Sequence, residues 1–237
     1  MGTRFKLTLL LTVILLIPGI TTGSEYEWQL VKDEDGIKVY LQKYWADEAR
    51  AFKGVVLINS SLDSLLAVIL DIKACTDWVH RCKNPLLLLK KSFSECYHYQ
   101  VHKLPFPATN REFIFHSRVT RSAQTGSVSI HMKAEPDFCV INSNLCSAIS
   151  NTSLVRVKHS HGHYLLDPVA QRVTRVTWTH HTNPEGYLPT WLINKLVREM
   201  PYQTLQGLRK AVFQEKYQKA RLVLDSQGKM VELITQN

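Results

Sequence analysis

The middle of the chain holds six stretches in which apolar and polar residues alternate, and one long amphipathic helix is predicted after them. Alternation with a period of two is typical of strands that bury one face. A predicted hairpin and a first helix capped by Ser60 and Ser61 precede these strands. The pattern therefore predicts one α+β domain, a large antiparallel sheet with helices segregated to its ends. The hairpin covers residues 36–42 and 52–58, the helix 62–78, and the strands 86–93, 95–104, 112–120, 127–134, 154–166 and 172–181.

The predicted terminal helix begins at residues 188–190 and carries one broad apolar face. Pro201 lies inside this helix and removes one backbone donor, so we expect a kink there. The apolar face consists of Leu192, Ile193, Leu196, Val197, Met200, Leu205, Leu208 and Val212.

The N-terminus has the pattern of a secretory signal peptide. Arg4 and Lys6 precede an uncharged apolar run over residues 7–17, and small residues follow it up to Ser24. A bilayer-spanning helix needs roughly 20 apolar residues, so an uncleaved anchor is the weaker interpretation. We expect cleavage after Gly23 and export, to the periplasm by preference or otherwise as a secreted protein.

The expected boundaries are a signal peptide at 1–23, a domain at 24–222 and a C-terminal tail at 223–237. Loss of the signal peptide leaves 27 basic against 20 acidic residues, a net charge of +7. Such basicity favours contact with an anionic membrane surface, but it is not clustered as in proteins that bind nucleic acids. The hydrophobic content of 45% suits an ordinary folded chain and excludes a disordered one.

Five cysteines lie in a chain that is expected to mature in an oxidising compartment, where disulfides are allowed. The preferred pairs are Cys75 with Cys82 and Cys139 with Cys146, because each spacing brackets turn-like sequence. Other pairings stay open. Cys96 is then the unpaired thiol.

Alternation also predicts which side chains face the interior of the sheet. A solid core and a sheet curved around a cavity have the same periodicity, so both remain open on this pattern. The inward set is Tyr97, Tyr99, Val101, Phe113, Phe115, Ser117, Val119, Val128, Ile130, Met132, Ala134, Val155, Val157, His159, Val176, Trp178 and His180.

Several local motifs, in order, resemble the START (steroidogenic acute regulatory protein-related lipid transfer) domain family over about residues 25–220. Asp71 and Trp78 stand where the family has an aspartate and a tryptophan after its early helix. The other motifs are residues 104–107 leading to Asn110-Arg111-Glu112-Phe113, the strand at 154–168, Thr177-Trp178, and the strand-turn-helix junction at 183–194.

The resemblance implies a helix-grip fold, in which a curved antiparallel sheet surrounds the long C-terminal helix and encloses a hydrophobic tunnel for a single lipid. Burial of apolar surface would drive binding, so no catalytic group or cofactor is required. The terminal helix would act as the gate, and the protein is expected to be a monomer. The implied ligand-binding residues are Tyr97, Tyr99, Phe113, Phe115, Ser117, Ile130, Met132, Val157, His159, Trp178, His180, Leu192, Leu196 and Met200.

The sequence departs from the family at a position that bears on ligand choice. Members that bind sterol or phosphatidylcholine often bury an arginine six residues after the position of Arg111, where this chain has Ser117. Arg118 falls on the opposite face of the predicted strand. His159 stands where a sterol-binding member has a histidine, and a neutral imidazole there could hydrogen-bond a ligand hydroxyl or carbonyl. A histidine satisfied by nearby backbone is an equal alternative.

Two other functions are open on the sequence alone. His159, His161 and His163 alternate along one strand, but no carboxylate or cysteine lies at ligand spacing, so no metal site is expected. Cys96 with His98 is the one nucleophile and base pair that the sequence offers. A cavity enzyme, like the cyclases among helix-grip relatives, is the second hypothesis, and a lipid-sensing regulator that binds a protein partner is the third.

Overall fold

The computed structural model describes residues 27–42, 51–149 and 153–235, so the predicted signal peptide lies outside the described residues. The strands are β1 Trp28–Glu34, β2 Ile37–Gln42, β3 Phe52–Ile58, β4 Cys82–Ser92, β5 Glu95–His102, β6 Arg111–Arg121, β7 Val128–Ala134, β8 Val155–Arg156, β9 Ser160–Ala170, β10 Val173–Thr182, β11 Arg221–Leu224 and β12 Met230–Ile234. The helices are α1 Leu62–Leu70, α2 Cys75–Trp78, α3 Phe138–Ile141, α4 Thr190–Ala211 and α5 Glu215–Gln218. In these ranges no helix is both long and apolar enough to cross a bilayer.

One curved sheet of ten strands dominates the molecule, in the order β1-β2-β3-β10-β9-β7-β6-β5-β4. Neighbours along this path are antiparallel, whereas β8 lies outside the path and pairs with β6 in parallel. Pairing of β3 with β10, with Ile58 opposite Thr174, joins the first three strands of the chain to the last strand of this sheet. The predicted α+β class and antiparallel sheet are therefore confirmed.

The first helix is shorter than the sequence pattern suggests. The Ser61 hydroxyl accepts a hydrogen bond from the Ser64 amide at 3.2 Å, which caps α1. Asp71 ends α1, and its carboxylate accepts a hydrogen bond from the Ala74 amide at 3.3 Å. A 3₁₀ turn at Ile72–Ala74 and the short α2 therefore follow in place of one continuous helix.

The C-terminal half of α4 is fixed to the sheet and to α2 by close contacts at two glycines. A Cβ atom at Gly54 of β3 would lie 2.7 Å from the Leu205 side chain, and one at Gly207 would overlap the carbonyl oxygen of Trp78. The Thr204 hydroxyl also accepts a hydrogen bond from the His80 amide at 3.1 Å. At Gly207 only glycine allows the two backbones to approach so closely.

A smaller apolar cluster covers the other face of β5 and β6. Tyr99, Ile114, Phe138 and Cys146 are buried in it, and Tyr97 packs against them. The segment that covers this face contains α3 and a 3₁₀ turn at Ser143–Cys146. The structure joins Cys139 to Cys146 within this segment, and it joins Cys75 to Cys82 beside α2. Cys96 is the remaining free cysteine.

Residues beyond α5 form a small hairpin of β11 and β12, which crosses the expected domain end at residue 222. The Leu222 amide donates a hydrogen bond to the Asp63 carboxylate at 2.9 Å, which ties the hairpin to α1. Met230 and Leu233 pack against the main core. The expected C-terminal tail at 223–237 therefore contains most of this hairpin, as far as the described residues extend.

Candidate functional site

A cavity of about 1890 Å³ lies between the sheet and α4. Its floor comes from β5, β6, β7, β9 and β10, and the end of α1 and α2 form a side wall. The α4 residues that line it are Thr190, Ile193, Asn194, Leu196, Val197, Arg198 and Met200, all of which precede Pro201. The volume exceeds the roughly 300–1,000 Å³ of pockets for drug-sized molecules.

Aromatic rings form a continuous patch on one side of the cavity. The Trp178 ring lies edge-on to Phe52 at 4.7 Å and stacks on Tyr164 at 5.0 Å between centroids. Trp78 of α2 approaches Tyr164 at 6.1 Å. This patch offers a rigid apolar surface to a ligand.

Three buried histidines bring polar atoms to the cavity wall: His98 and His102 on β5 and His180 on β10. Burial lowers the pKa of His98 to about 4 and that of His102 to about 4. Burial, with smaller contributions from neighbouring histidines, lowers the pKa of His180 to about 3. All three imidazoles are consequently uncharged at neutral pH.

Each of these imidazoles has one polar neighbour. His180 Nε2 lies 2.9 Å from the Ser160 hydroxyl, and His102 Nε2 lies 2.9 Å from the Gln100 side-chain amide. His98 Nδ1 lies 3.5 Å from the Ser117 hydroxyl. These contacts hold the rings in place and leave further hydrogen-bonding positions on the cavity wall.

Ten of the predicted ligand-binding residues line the cavity. They come from β6, β7, β10 and α4, and from the link between β8 and β9. They are Phe113, Phe115, Ser117, Ile130, Met132, His159, Trp178, His180, Leu196 and Met200. Arg118 is exposed on the opposite face of β6, as its position in the alternation predicts.

Tyr97 and Tyr99 must be corrected, because they face away from the cavity. Tyr97 stacks on Phe138 at 4.4 Å, and the Tyr99 hydroxyl donates a hydrogen bond to Glu112 at 2.9 Å. The outer face of β5 is covered by the 138–146 segment and therefore also carries apolar residues. Alternation identified a buried face there, but it was not the face of the cavity.

Val157 and Leu192 also lie outside the cavity wall. Val157 is fully buried against Phe113 and Phe115, and Leu192 is 1% exposed near the start of α4. The predicted strand over 154–166 is interrupted between β8 and β9, so its alternation does not continue. His159 falls at this break and is exposed where it lines the cavity, so it is not a core histidine.

Several wall residues were absent from the sequence-based set: Phe52, Trp78, Cys96, His98, Gln100, His102 and Tyr164. Four of them occupy alternate positions on β5, opposite the tyrosines that the sequence favoured. The polar character of this set hid it, because Tyr97, Tyr99 and Val101 at the intervening positions of β5 marked the opposite face as the buried one. The recurrence of Cys96, His98, Gln100 and His102 at every second position was the available signal.

Cys96 and His98 both line the cavity, and burial disfavours the charged form of each side chain. Burial raises the pKa of the Cys96 thiol, which opposes formation of the thiolate. The His131 and His163 rings lie 5.5 Å apart, and those of His161 and His181 lie 5.1 Å apart. In the described part of the chain, no group of three or more His, Cys, Asp or Glu side chains could hold a metal ion.

Large apolar side chains are exposed near one end of the cavity. Phe106 is 96% exposed, Tyr187 90% and Trp191 60%. Tyr187 lines the cavity, and so does Leu104, two residues before Phe106. The Arg111 guanidinium joins these two loops, because it donates hydrogen bonds to the carbonyls of Thr109, Pro184 and Glu185.

A curved sheet closed by a long terminal helix around one large cavity defines the helix-grip class of proteins. The family described as START domain matches residues 21–218, and the chain therefore belongs to the START domain family. It is 32% identical over 206 residues to an uncharacterized protein of Pseudomonas aeruginosa, covering 87% of this chain and 96% of that one.

Two further relatives have informative names. The rat phosphatidylcholine transfer protein is 26% identical over 175 residues, covering 73% of this chain and 77% of its own. The crystal structure of a STAR-related lipid transfer protein from Xanthomonas axonopodis superposes with a TM-score of 0.69 at 30% identity. The superposition covers 79% of this chain and 99% of that one.

Proposed function

We propose that this protein binds a single lipid in its cavity and transfers it between membranes without catalysing a reaction. The observation that carries this proposal is the cavity of about 1890 Å³ with a wall of aromatic and aliphatic side chains. Burial of a lipid chain there gains roughly 25 cal/mol for each Å² of apolar surface removed from water. The names of the rat and Xanthomonas relatives, both lipid transfer proteins, support the same function.

Exchange of the lipid proceeds through movement of the first half of α4. Pro201 has no amide hydrogen, so the carbonyl of Val197, four residues earlier, has no helical partner. This missing hydrogen bond weakens α4 between the half that covers the cavity and the half that packs on the core. The first half is therefore the gate, and Pro201 is its hinge.

Contact with a membrane is made by the exposed side chains Phe106, Tyr187 and Trp191. Aromatic residues partition into the interface of a bilayer, where an apolar ring meets polar headgroups. Insertion of these rings would bring the end of the cavity to the membrane surface, so that a lipid could enter without crossing water. The net positive charge of the chain supports attraction to anionic lipids.

This activity takes place outside the cytoplasm after removal of residues 1–23. The apolar run over residues 7–17 and the small residues before Ser24 support export. N-terminal sequencing of protein from the extracytoplasmic fraction is expected to begin at Ser24. Protein that stays in the cytoplasm with Met1 or Gly2 at its N-terminus would refute export.

Adjacent positions on β6 provide a matched test of the cavity. Ser117→Trp puts an indole into the space that a lipid would occupy, so uptake of a labelled lipid should fall at least tenfold. Arg118→Trp makes the same change at an exposed position, and uptake should remain within twofold of the original. Circular dichroism checks that both variants fold. Equal uptake by two folded variants would refute the cavity as the lipid site.

A further inference from the structure

Histidine and basic side chains form a patch on the face of the sheet that is turned away from the cavity. The residues that alternate with them on β6 and β7, namely Ser117, Ile130 and Met132, line the cavity. Successive side chains of a strand point to opposite faces, so the patch lies on the other face of the sheet. A shallow groove of about 360 Å³ marks its centre. The side chains that line this groove include His116, Arg118, His131, Lys133, His161 and His163.

The strand register arranges this histidine patch in two rows of directly opposed residues. The first row, across β6, β7 and β9, is Arg118, His131 and His163. The second row, across β6, β7, β9 and β10, is His116, Lys133, His161 and His181. Residues that are directly opposite on neighbouring strands project from the same face. The patch is therefore one continuous surface with five imidazoles, and it spans four strands.

Carboxylates at the edge of the histidine patch match its two cations. The Arg118 guanidinium lies 3.5 Å from Glu95, and the Lys133 ammonium lies 3.3 Å from Glu135. Glu95 also lies 2.8 Å from His116 Nε2. Further cations beside the patch are Lys53, on the strand next to β10, and Lys91, which pairs with Glu95. The patch thus carries little net charge while its imidazoles are neutral.

Acid removes this balance because it charges the imidazoles. A histidine takes up a proton as the pH falls between about 8 and 5. His131 and His161 are exposed, so water can hydrate their charged forms. Burial and the neighbouring His131 lower the pKa of His163, which becomes charged at a more acid pH than an ordinary histidine. Below about pH 6 the patch therefore gains positive charges that Glu95 and Glu135 do not match.

The close imidazole pairs favour a phosphate group as partner once they are protonated. The His131 and His163 rings lie 5.5 Å apart, and the His161 and His181 rings lie 5.1 Å apart. Two imidazolium groups at such distances repel each other, and an anion between them relieves the repulsion. Phosphate oxygens accept charge-assisted hydrogen bonds from ring N–H groups. An anionic bilayer presents many phosphates on one surface and can serve both pairs together.

The second row also connects the histidine patch with the cavity. His181 lies near the end of β10 and lines the cavity, as does the exposed Tyr187 six residues later. We propose that the histidine patch is an acid-responsive binding surface for anionic membranes. The inference rests on the proposed transfer function, because it names a surface and a condition that bring the protein to a bilayer. It adds an electrostatic contact to the exposed aromatic side chains.

Vesicle co-sedimentation at two pH values tests this surface. The protein is mixed with vesicles of equimolar dioleoylphosphatidylglycerol and dioleoylphosphatidylcholine at pH 7.5 and at pH 5.5. We expect about tenfold tighter binding at pH 5.5, because each cation added near an anionic surface strengthens the attraction. The gain should vanish at high salt and on vesicles of dioleoylphosphatidylcholine alone. Equal affinity at the two pH values, or the same gain on uncharged vesicles, overturns the inference.

Variants with opposite expected effects assign the gain to the histidine patch. A double variant, His131→Gln with His163→Gln, removes one imidazole pair and should lose at least about threefold of the acid gain. His131→Lys fixes a positive charge at an exposed position and should strengthen binding about threefold at pH 7.5, which loss of structure would not produce. His80→Gln, two residues after α2, is the control. Circular dichroism at pH 5.5 checks that each variant is folded. A full acid gain in the folded double variant, or no effect of His131→Lys, overturns the assignment.

Uptake of a labelled lipid at pH 7.5 keeps this inference separate from the proposed function. Protein that binds anionic vesicles in acid and takes up no lipid would refute the transfer function and leave the histidine patch as a membrane site. Protein that takes up lipid and shows no acid-dependent binding to anionic vesicles would overturn the inference alone.

Discussion

The two halves of α4 have the same secondary structure and opposite surroundings. Between Thr190 and Met200, Leu192 is the buried residue, and several neighbours line the cavity. After Pro201 the buried residues are Tyr202, Thr204, Leu205, Leu208 and Ala211. The first half thus covers a space, whereas the second half belongs to the core.

This difference shows how one helix can be both stable and movable. The second half is held by core packing, by the close approach of Gly207 to Trp78, and by a hydrogen bond of 2.7 Å from the Tyr202 hydroxyl to Asp35. The first half is tied to the sheet by a Lys32–Glu199 ion pair at 3.4 Å. Segments with few buried apolar contacts open at lower free energy than the core does.

The largest expected effect is a difference in the free energy of unfolding between two leucine-to-alanine substitutions, one in each half of α4. Leu205 is fully buried, so Leu205→Ala should lower the free energy of unfolding by about 2–5 kcal/mol. Leu196 borders the cavity, and Leu196→Ala should cost less than about 1 kcal/mol because it enlarges a space that already exists. Urea unfolding measures both. Similar losses would remove the distinction between the halves.

Acid should destabilise the folded protein through three buried histidines of the cavity wall, which the first half of α4 covers. The pKa values of His98, His102 and His180 in the folded protein, about 4, 4 and 3, lie below the ordinary 6.5. The unfolded chain therefore binds more protons as the pH falls below 6.5, and folding stability decreases toward pH 4. Each buried imidazole contributes a loss that grows from about 0.7 kcal/mol per pH unit at pH 6.5 toward about 1.4 kcal/mol per pH unit at pH 5.5.

Unfolding free energies at pH 6.5, 6.0 and 5.5 measure this slope. His98→Gln should reduce the slope by the contribution of one imidazole, while His131→Gln at an exposed position serves as the control. A slope that His98→Gln leaves unchanged would contradict the buried neutral state of this imidazole.

Restoring the missing hydrogen bond at the hinge should slow exchange. Pro201→Ala supplies an amide hydrogen for the Val197 carbonyl and keeps the Cβ atom that lies near Gly54. We expect about fivefold slower transfer of labelled lipid between vesicles, which corresponds to about 1 kcal/mol, with little change in the amount of lipid bound. Gln203→Ala, two residues later in α4, is the control. Unchanged or faster transfer by Pro201→Ala argues against a hinge.

The smallest expected effect concerns the ion pair that holds the gate. Glu199→Gln removes one partner of Lys32, which also pairs with Glu34 at 3.2 Å. Ion pairs that solvent can reach contribute about 1 kcal/mol or less, so transfer should become about two- to threefold faster at low salt. The difference should disappear near 1 M salt, where such charges are screened. A difference that persists in high salt means that Glu199 acts through packing.

Alternation and helical periodicity were enough to predict the antiparallel sheet and α4, because both elements bury one apolar face. They did not predict the cavity side of β5, where Tyr97 and Tyr99 pack beneath α3 and the cavity face is polar. They also missed the end of α1 at Asp71, which a side-chain cap decides. Contacts between distant segments decide which of two buried faces borders a cavity. The periodicity within one strand carries no information about those contacts.

The most direct test of the account is native mass spectrometry of the protein purified without detergent, compared with the mass of the denatured chain. The account predicts an added mass equal to one lipid, which is released on denaturation. A mass that equals the bare chain, and that stays so after incubation with mixed lipid extracts, would contradict the lipid-binding function.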